Sequence, residues 1–432
     1  MIWNERMECM DPENLKEVQS KRLREIVIYV YENCPVYKKK LDAAGVNPLD
    51  IKRIEDIRNL PFTVKEDLRD NYPFGMFSLP VNELAEIHVS SGTTGNPTVV
   101  GYSKEDLDLW SEVMSRVLCC AGAEPGDLMQ NAYGYGLFTG GLGFHYGALN
   151  MGLVIIPASA GQTKRQLKLM TDFKPRILVC TPSYSLYMAE EAKAMGLKPR
   201  ESSWEIGIFG AEPWSESMRK EIEATWDMLA TDVYGLSEII GPGVAQECKH
   251  KAGLHIFSDV FYPEIIDPKT GLKVKEGNKG ELVITTLTKK GIPLLRYRTR
   301  DIVSINYETC KCGRTSPRIS KITGRTDDMI IVRGINVFPS QIEHVLLGIE
   351  GTLPHYQLVV DRKAHELDEL EIVVEVDQKI FSDEIKKLQA FEDRIKKEIE
   401  SILGVFVKVK LVEPRTIERS EGKAKRVIDK RT

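Results

Sequence analysis

The residues best suited to chemistry form one short run, residues 90–98, which contains five hydroxyl side chains and two glycines. Glycine tolerates the backbone angles and the close approach that allow N–H groups and hydroxyls to surround phosphate oxygens. The run follows a strand-like segment at residues 85–89, so it is a candidate phosphate-binding loop. It is not a Walker A motif, because no lysine follows Gly95 directly. A polar surface turn explains an isolated run equally well, so the rest of the chain must decide.

A second set of side chains with metal-binding potential consists of three cysteines and two neighbouring histidines. Cys310 and Cys312 lie in a Cys-x-Cys-Gly turn, which commonly presents two thiolates to one ion. Cys248, together with His250 or His255, would complete a closed tetrahedral zinc site of three thiolates and one imidazole. Reduced cysteines that bind no metal are the alternative. We predict a structural zinc ion that takes no part in catalysis.

The composition predicts a cytoplasmic globular protein and argues against several classes of function. A formal net charge of -4 gives no sign of attraction to nucleic acid or to a membrane surface. No apolar run approaches the length of a membrane span, and the first residues lack the apolar core of a signal peptide. Eight cysteines in 432 residues do not form a disulfide scaffold. The cysteines outside the zinc set are predicted to be reduced and mostly buried: Cys9, Cys34, Cys119, Cys120 and Cys180.

Hydrophobic periodicity indicates the elements that must position these residues. Residues 13–32 have the apolar spacing of an amphipathic helix. Between residues 85 and 240, short apolar runs alternate with helical stretches, which predicts βαβ units and parallel sheets with strands buried on both sides. The strand-like runs are residues 153–156, 177–179 and 206–209, and the helical stretches are residues 103–118, 163–172 and 215–229.

The C-terminal part of the chain changes character twice. After residue 255, strands separated by turn signals predict a more antiparallel, barrel-like section. A small α+β unit then follows, with a strand at residues 371–376, a charged helix at 382–403 and a half-buried strand at 405–411. We therefore expect an α/β protein of two domains, residues 1–326 and 327–432.

Six further segments follow the candidate phosphate loop in order: residues 209–213, 232–238, 296–301, 324–328, 333–339 and 419–426. Together they resemble the core motifs of the ANL superfamily of adenylate-forming enzymes. Arg-Gly-Ile-Asn-Val-Phe-Pro-Ser-Gln at residues 333–341 and Arg-Ser-Glu-Gly-Lys-Ala at residues 419–424 are similar to the phenylacetate–CoA ligase branch. The resemblance covers nearly the whole chain from residue 61. It implies a large N-terminal domain with mixed and parallel sheets, and a small mobile C-terminal domain.

The resemblance also implies an ATP-dependent reaction in two steps. A carboxylate attacks the α-phosphate of ATP to give acyl-AMP and pyrophosphate, and CoA then displaces AMP. Asp301 would accept the ribose hydroxyls, and the ring of Tyr234 would stack on adenine. The residues that would hold the β- and γ-phosphates are Ser91, Gly92, Thr93, Thr94 and Gly95. The other nucleotide-binding positions implied are Gly210, Ala211, Glu212, Pro213, Asp232, Gly235 and Arg325.

Three charged residues carry the remaining roles that the resemblance implies. Lys423 would donate to the α-phosphate and carboxylate oxygens as a mobile point charge, inserted and withdrawn by the small domain. Glu238 would help to hold Mg²⁺, a hard cation that prefers oxygen ligands. Asp327 aligns with the hinge about which the C-terminal domain rotates between the half-reactions. Taken alone, each charge has a plainer explanation, such as a basic tail for Lys423 or a surface ion pair for Asp301.

A segment rich in glycine and aromatic residues, residues 133–143, resembles the aryl-pocket loop of phenylacetate–CoA ligases. Glycines let the backbone approach a flat ligand, and aromatic rings offer stacking or edge-to-face contacts. The predicted ring contacts are Tyr135 and Phe138, with Gly210, Ile239 and Pro242 closing the far side. A glycine-packed contact between helix and sheet is the alternative. No sequence rule known to us separates phenylacetate from indoleacetate or benzoate.

Three details can be compared with the family pattern. Thr98 stands where many superfamily members carry lysine. Threonine at this position matches the phenylacetate branch. Arg300 replaces the glycine that usually precedes the ribose-binding aspartate, so we expect an altered turn into Asp301. The run Gly253-Leu254-His255 resembles the phenylacetate branch, which favours His255 over His250 as the zinc ligand.

Three readings of the function follow. The leading one is an aryl-acid–CoA ligase that uses ATP, Mg²⁺ and CoA, and we expect it to be a homodimer. The second keeps adenylation but changes the acid, or changes the acceptor to a carrier protein or an adenylylated cofactor. The third is a nucleotide-binding regulator without turnover, against which Lys423 and Asp301 both argue.

Overall fold

The computed structural model describes residues 1–90, 96–322, 324–325, 330–332, 335–362, 368–381, 385–403, 406–422 and 424–431. Several residues singled out above lie outside these ranges: Ser91, Gly92, Thr93, Thr94, Gly95, Asp327 and Lys423.

Helices precede the first strand of the chain: α1 (Glu5–Glu8), α2 (Pro12–Asn33), α3 (Pro35–Ala43) and α4 (Lys65–Asp70). Helix α2 is the amphipathic helix predicted for residues 13–32. It begins where the Asp11 carboxylate accepts hydrogen bonds from the N–H groups of Glu13 and Asn14, at 2.9 and 3.4 Å. Leu23 and Ile26 on its apolar face are buried, so the helix packs against the core of the large domain.

The large domain alternates strands and helices, as predicted. Its strands are β1 (Glu86–Val89), β2 (Val99–Tyr102), β3 (Leu128–Asn131), β4 (Val154–Ile156), β5 (Ile177–Cys180), β6 (Ile206–Gly210), β7 (Leu229–Leu236), β8 (Gly241–Glu247), β9 (Leu254–Ile256), β10 (Phe261–Ile266), β11 (Gly280–Thr286), β12 (Tyr297–Val303), β13 (Ile305–Asn306) and β14 (Arg318–Ile319). Its remaining helices are α5 (Lys104–Ala121), α6 (Thr139–Met151), α7 (Thr163–Phe173), α8 (Pro182–Ala194) and α9 (Glu216–Trp226).

Nine of the described strands form one sheet in the order β13-β14-β9-β8-β7-β6-β5-β3-β4. Neighbouring strands from β4 to β7 are parallel, and those from β7 to β13 are antiparallel. The parallel half confirms the βαβ prediction. Because the carboxyl ends of parallel strands meet at one edge of a sheet, this edge is where the fold can assemble a ligand site.

Strand β4 differs from its prediction. The run at residues 153–156 was expected to be buried on both sides, but Val154 is 58% exposed. The reason is topological, since β4 is the last strand of the sheet and pairs only with β3 among the described strands. Hydrophobic content does not distinguish such an edge strand from a central one.

The antiparallel character predicted after residue 255 is present in two places. Strands β10, β11 and β12 form a three-stranded antiparallel sheet, whereas β13 and β14 extend the nine-stranded sheet. Strands β1 and β2 pair with each other on either side of the candidate phosphate loop.

The small domain contains β15 (Ile330–Val332), β16 (Ile335–Val337), α10 (Pro339–Leu346), β17 (Thr352–Asp361), β18 (Glu369–Val376), α11 (Gln378–Phe381), α12 (Ile385–Leu403), β19 (Val407–Val412) and β20 (Val427–Asp429). Four of these strands form a sheet in the order β19-β18-β17-β20, with a hydrophobic core separate from that of the large domain. Strand β17 was not predicted, because Pro354 interrupts its pattern at an irregularity in the β17–β18 register. Residues 382–384 of the predicted helix lie outside the described residues.

None of the helices in the described part of the chain is long and apolar enough to cross a lipid bilayer.

Candidate active site and metal centre

Eight of the residues predicted to bind a nucleotide line one cleft at the carboxyl edge of the parallel strands. Gly210 ends β6, and Asp232 and Tyr234 lie beside it on β7. A Cβ at Gly210 would lie 2.4 Å from the Val233 carbonyl oxygen, so only glycine permits this close approach of the two strands. The residues of the predicted set that line the cleft are Ala211, Glu212, Pro213, Asp232, Tyr234, Gly235, Asp301 and Arg325.

Asp301 is the centre of a buried cluster in this cleft. The Tyr234 hydroxyl donates to its Oδ2 at 2.6 Å, and Arg325 Nη1 donates to its Oδ1 at 3.2 Å. Burial and the Asp301 carboxylate together raise the pKa of Tyr234 well above its ordinary value. The arrangement holds a carboxylate and a neutral phenol in fixed positions within the cleft.

Asp232 is the second buried carboxyl group of the cleft. Burial raises its pKa to about 6, although the nearby Lys321 acts in the opposite direction. Its backbone N–H donates to Glu247 at 3.1 Å, which fixes β7 at this point.

Arg300 was expected to alter the turn into Asp301, but the backbone here keeps a conformation typical of glycine. Its φ angle is +67°, in the left-handed region that favours glycine. Its backbone N–H donates to Glu281 at 3.2 Å, and its guanidinium donates to Glu66 at 2.8 Å. The turn into Asp301 therefore keeps a glycine-like backbone while carrying a charged side chain.

The candidate phosphate loop is closed at its base. The Ser90 N–H donates to the Thr98 carbonyl at 2.9 Å, and the two hydroxyls are also hydrogen-bonded. Glu238, the predicted Mg²⁺ ligand, is buried, with Oε1 at 3.4 Å from Lys65 Nζ. A carboxylate oxygen is a ligand that a hard cation prefers, but a cation bound here would compete with the Lys65 ammonium for Glu238.

Glu212 lines the cleft and also contacts the small domain. Its Oε1 accepts a hydrogen bond from the Ser183 N–H at 2.8 Å, and its Oε2 accepts one from the Ala424 N–H at 2.9 Å. Thr181 Oγ1 donates to the Gly422 carbonyl at 3.0 Å. The two residues that flank Lys423 are therefore both anchored to the large domain, a connection that the sequence did not reveal.

The residues predicted for an acyl pocket are brought near the same strands, with different exposure. Asn131 Nδ2 donates to the Tyr135 hydroxyl at 2.8 Å, and burial raises the pKa of Tyr135 to about 12. Phe138 immediately precedes α6 and is 55% exposed. Ile239 is fully buried, and the Pro242 carbonyl accepts a hydrogen bond from Trp110 at 2.9 Å.

Glycine packing, the alternative to an aryl pocket, also occurs in this segment. A Cβ at Gly143 would lie 2.6 Å from the Trp110 ring and 2.8 Å from the Pro242 ring. The segment therefore combines a tight helix–sheet contact on α6 with aromatic side chains in the loop before it.

Lys289 is a functional candidate that sequence reasoning missed. It is fully buried, its Nζ donates to the Ile239 carbonyl at 2.8 Å, and it lies 4.6 Å from the centre of the Tyr102 ring. In the sequence it belongs to a Lys-Lys pair in a polar turn, which is typical of an exposed segment. Lys289 holds the backbone of the predicted acyl-pocket residue Ile239.

A pH dependence of stability follows from Lys289. Burial lowers its pKa from 10.5 to about 8. Above pH 8 the folded chain has lost this proton while the unfolded chain retains it until about pH 10.5, so this residue makes stability rise with pH over that range. We expect Lys289→Met, which keeps an apolar stem, to lack this rise. Urea unfolding of both proteins on either side of pH 8 measures the difference, and identical pH profiles would contradict it.

The predicted zinc ligands converge at the end of the nine-stranded sheet. The sulfur atoms of Cys248, Cys310 and Cys312 and a ring nitrogen of His255 all lie within 4.8 Å of one another. Cys248 Sγ is 3.8 Å from Cys310 Sγ, and Cys312 Sγ is 3.4 Å from His255 Nε2. Tetrahedral zinc with bonds of about 2.3 Å to sulfur and 2.0 Å to nitrogen separates its ligand atoms by about these distances. His250, the competing ligand, is exposed.

The surroundings orient this cluster. His255 Nδ1 is 3.2 Å from Ser316 Oγ, which leaves Nε2 directed at the thiols. Hydrogen bonds with Cys248 and His255 lower the pKa of Cys312. Arg314 contacts Cys312 Sγ at 3.7 Å, and its guanidinium also forms a buried ion pair with Glu8 near α1. The site can therefore accommodate a metal ion that prefers thiolate ligands, and Arg314 connects the site to the first helix.

Comparison with known proteins places these features in context. The AMP-binding enzyme family matches residues 9–288, and the AMP-binding enzyme C-terminal domain family matches residues 334–431. The phenylacetate-coenzyme A ligase of Thermus thermophilus is 49% identical over 100% of both chains. That of Escherichia coli (strain K12) is 45% identical over 100% of this chain and 99% of the relative.

Solved structures add information on the arrangement of the domains. The 2-hydroxyisobutyryl-CoA ligase in its postadenylation state, in complex with R3-HIB-AMP, is 29% identical and superimposes with a TM-score of 0.92, covering 98% of this chain and 91% of that one. In complex with 2-HIB-AMP and CoA in its thioesterification state, the same protein is 30% identical and has a TM-score of 0.73, covering 99% and 92%. The present structure therefore superimposes more closely on the postadenylation state of that relative than on its thioesterification state.

Proposed function

The chain belongs to the phenylacetate–CoA ligase family of AMP-binding enzymes, and on this basis we propose that it activates an aryl carboxylic acid, with phenylacetate as the first candidate. It is an AMP-forming acid–thiol ligase, which joins an acid to CoA at the expense of ATP through an acyl-AMP intermediate. The observation that best supports the proposal is the position of Glu212. It lines the cleft that contains Tyr234 and Asp301, and its carboxylate holds Ala424, the residue after Lys423.

In the proposed mechanism, an oxygen of the substrate carboxylate attacks the α-phosphorus of ATP, and the bond to pyrophosphate breaks. Residues 91–95 hold the β- and γ-phosphates, Asp301 binds the ribose, and Tyr234 contacts the base. Lys423 donates hydrogen bonds to the oxygens that gain charge, which is the main source of catalysis in phosphoryl-type transfer. Mg²⁺ held by Glu238 would neutralise phosphate charge. The CoA thiolate then attacks the acyl carbon, and AMP leaves.

The acyl group is proposed to lie between the loop that contains Tyr135 and Phe138 and the segment that contains Ile239 and Pro242, with Gly210 at the base. The ring of Tyr135 provides an apolar contact of the kind a flat aromatic acid requires, whereas the fully buried Ile239 would support the pocket from behind. The exposed Phe138 would close over the ring on binding.

Release of AMP and pyrophosphate from ATP and Mg²⁺ tests this function, with a panel of aryl and alkyl acids, each with and without CoA. Turnover that requires both an aryl acid and CoA is expected. Pyrophosphate formation that does not depend on CoA would indicate that the acceptor is not CoA but a carrier protein or a cofactor. An absence of turnover across the panel would overturn the aryl-acid assignment.

We also propose that Cys248, His255, Cys310 and Cys312 bind a structural zinc ion. The distances among the four ligand atoms fit tetrahedral coordination, and the hydrogen-bonding distance from Ser316 to His255 supports the required tautomer. The ion would join the segment between β8 and β9 to the turn between β13 and β14. The four proposed ligands are not among the described residues that line the nucleotide cleft, so we expect the ion to stabilise the fold rather than take part in the reaction.

A homodimeric assembly in the cytoplasm remains a prediction from the sequence. Sedimentation equilibrium of the purified protein measures the assembly, and a monomer at all concentrations would contradict the dimer.

A further inference from the structure

An ion-pair cluster connects α8 of the large domain to the small domain. Glu190 Oε1 lies 2.5 Å from His355 Nε2 and accepts a hydrogen bond from Arg419 Nη2 at 3.1 Å. Glu190 Oε2 accepts a second bond from Arg419 Nε at 3.1 Å. Burial acts to raise the pKa of Glu190, but the hydrogen bonds with His355 and Arg419 outweigh it and keep the pKa below its ordinary value. One carboxylate of the large domain therefore holds two side chains of the small domain.

Arg419 is itself rigidly held within the small domain. Its Nη1 and Nη2 donate to the two carboxylate oxygens of Glu375 at 2.7 Å each, and Glu375 is fully buried. The Ile417 N–H also donates to Glu375, at 2.8 Å. A bidentate contact of this kind fixes a guanidinium in orientation as well as position. Glu190 thus binds a guanidinium that Glu375 already holds in position, rather than a mobile side chain.

The cluster lies at the start of the loop that carries the predicted catalytic lysine. Arg419 is four residues before Lys423, and Thr181 and Glu212 anchor the residues on either side of Lys423. The loop is therefore attached to the large domain at both of its ends. These contacts belong to the postadenylation arrangement, from which the thioesterification arrangement of the solved relative differs.

We propose that Glu190 is a positioning residue for the first half-reaction: it holds Arg419, and through it the Lys423 loop, against the large domain. This inference rests on the proposed function. If the small domain takes the different arrangement of the relative's thioesterification state, the Glu190 contacts are lost, so the residue would contribute to acyl-AMP formation and not to thioester formation. The strength of the interaction of Glu190 with Arg419 and His355 would therefore set how readily the enzyme leaves the adenylation arrangement.

Glu190→Gln tests the proposal, because it removes the charge and keeps the size of the side chain. Arg419 is a poorer choice, since its loss would leave the buried Glu375 unpaired and endanger the fold. We expect Glu190→Gln to slow phenylacetate-dependent exchange between ATP and pyrophosphate about tenfold. The rate at which synthetic phenylacetyl-AMP and CoA form the thioester should be unchanged or faster.

Glu191→Gln is the matched control. The neighbouring Glu191 also pairs with a residue of the small domain, Arg415, but Arg415 is mostly exposed, so this pair should contribute little and the variant should change neither rate appreciably. Equal losses in both half-reactions of Glu190→Gln, or rates that match those of Glu191→Gln, would overturn the proposal.

Small-angle X-ray scattering of the same variants provides a readout that needs no turnover. Glu190→Gln should scatter as a more extended molecule than the wild type and than Glu191→Gln, and identical profiles would count against a positioning role. If the wild type forms no acyl-AMP with any aryl acid, the proposed function fails. The scattering comparison still decides whether Glu190 holds the domains together.

Discussion

Lys423→Ala is expected to lower acyl-AMP formation by about 100- to 1,000-fold, the usual cost of removing one donor that stabilises transition-state charge. The neighbours of Lys423 explain why a single side chain should matter this much. Thr181 and Glu212 form hydrogen bonds with Gly422 and Ala424, so the residues on either side of the lysine are positioned in advance. ATP should still bind, because its contacts come from the large domain. Pyrophosphate release and equilibrium binding of ATP measure the two effects separately.

Lys425→Ala is the control for this prediction. It removes the same charge two residues away, from an exposed side chain, and should retain turnover. Unaltered turnover in Lys423→Ala would remove this lysine from the mechanism. If Lys423→Ala lost ATP affinity together with its activity, the lysine would be assigned to binding rather than to the transition state.

Cys310→Ser is expected to abolish zinc binding and to lower the melting temperature by at least about 5 °C. Loss of a metal site is among the few single changes that cost several kcal/mol, and each kcal/mol lowers the melting temperature of a large domain by about 2–4 °C. The wild type should contain one zinc ion per chain when purified without chelators. Elemental analysis and thermal unfolding of the two proteins provide the measurements.

Cys9→Ser serves as the control, because this half-buried thiol lies outside the cluster of four ligands. It should retain both the zinc and the melting temperature. A wild-type protein without zinc, or a Cys310→Ser variant with unchanged stability, would refute the structural metal site.

Local patterns in the sequence predicted many of the elements and also singled out four side chains that the structure brings together. The spacing of apolar residues predicted α2, and the alternation of strands and helices predicted the parallel half of the large sheet. The residues predicted to bind zinc were singled out because a Cys-x-Cys-Gly turn is itself a local signal, and the structure brings their ligand atoms together although Cys248 and Cys310 lie 62 residues apart. Residues of a suitable chemical type that lie close together in the sequence can therefore be recognised without a structure.

Contacts between distant segments could not be predicted in this way. Nothing in the Lys289-Lys290 pair distinguishes the fully buried lysine from a surface one. Glu212 belongs to a motif, but its bond to Ala424 spans 212 residues, and the Glu190–Arg419 contact spans 229. The edge position of β4 likewise depends on which strands pair with it. These features follow from how the two domains and the sheet assemble, which no short window of sequence contains.

The buried pair of Glu8 and Arg314 beside the zinc ligands has a consequence for the order of biosynthesis. The two residues are 306 positions apart, and the Thr315 N–H also donates to the Glu8 carbonyl at 3.0 Å. At about 5–20 residues per second, a ribosome needs tens of seconds to deliver Arg314 after Glu8 has emerged. Throughout that interval Glu8 lacks its cationic partner Arg314, so this ion pair forms only after most of the large domain has been synthesised.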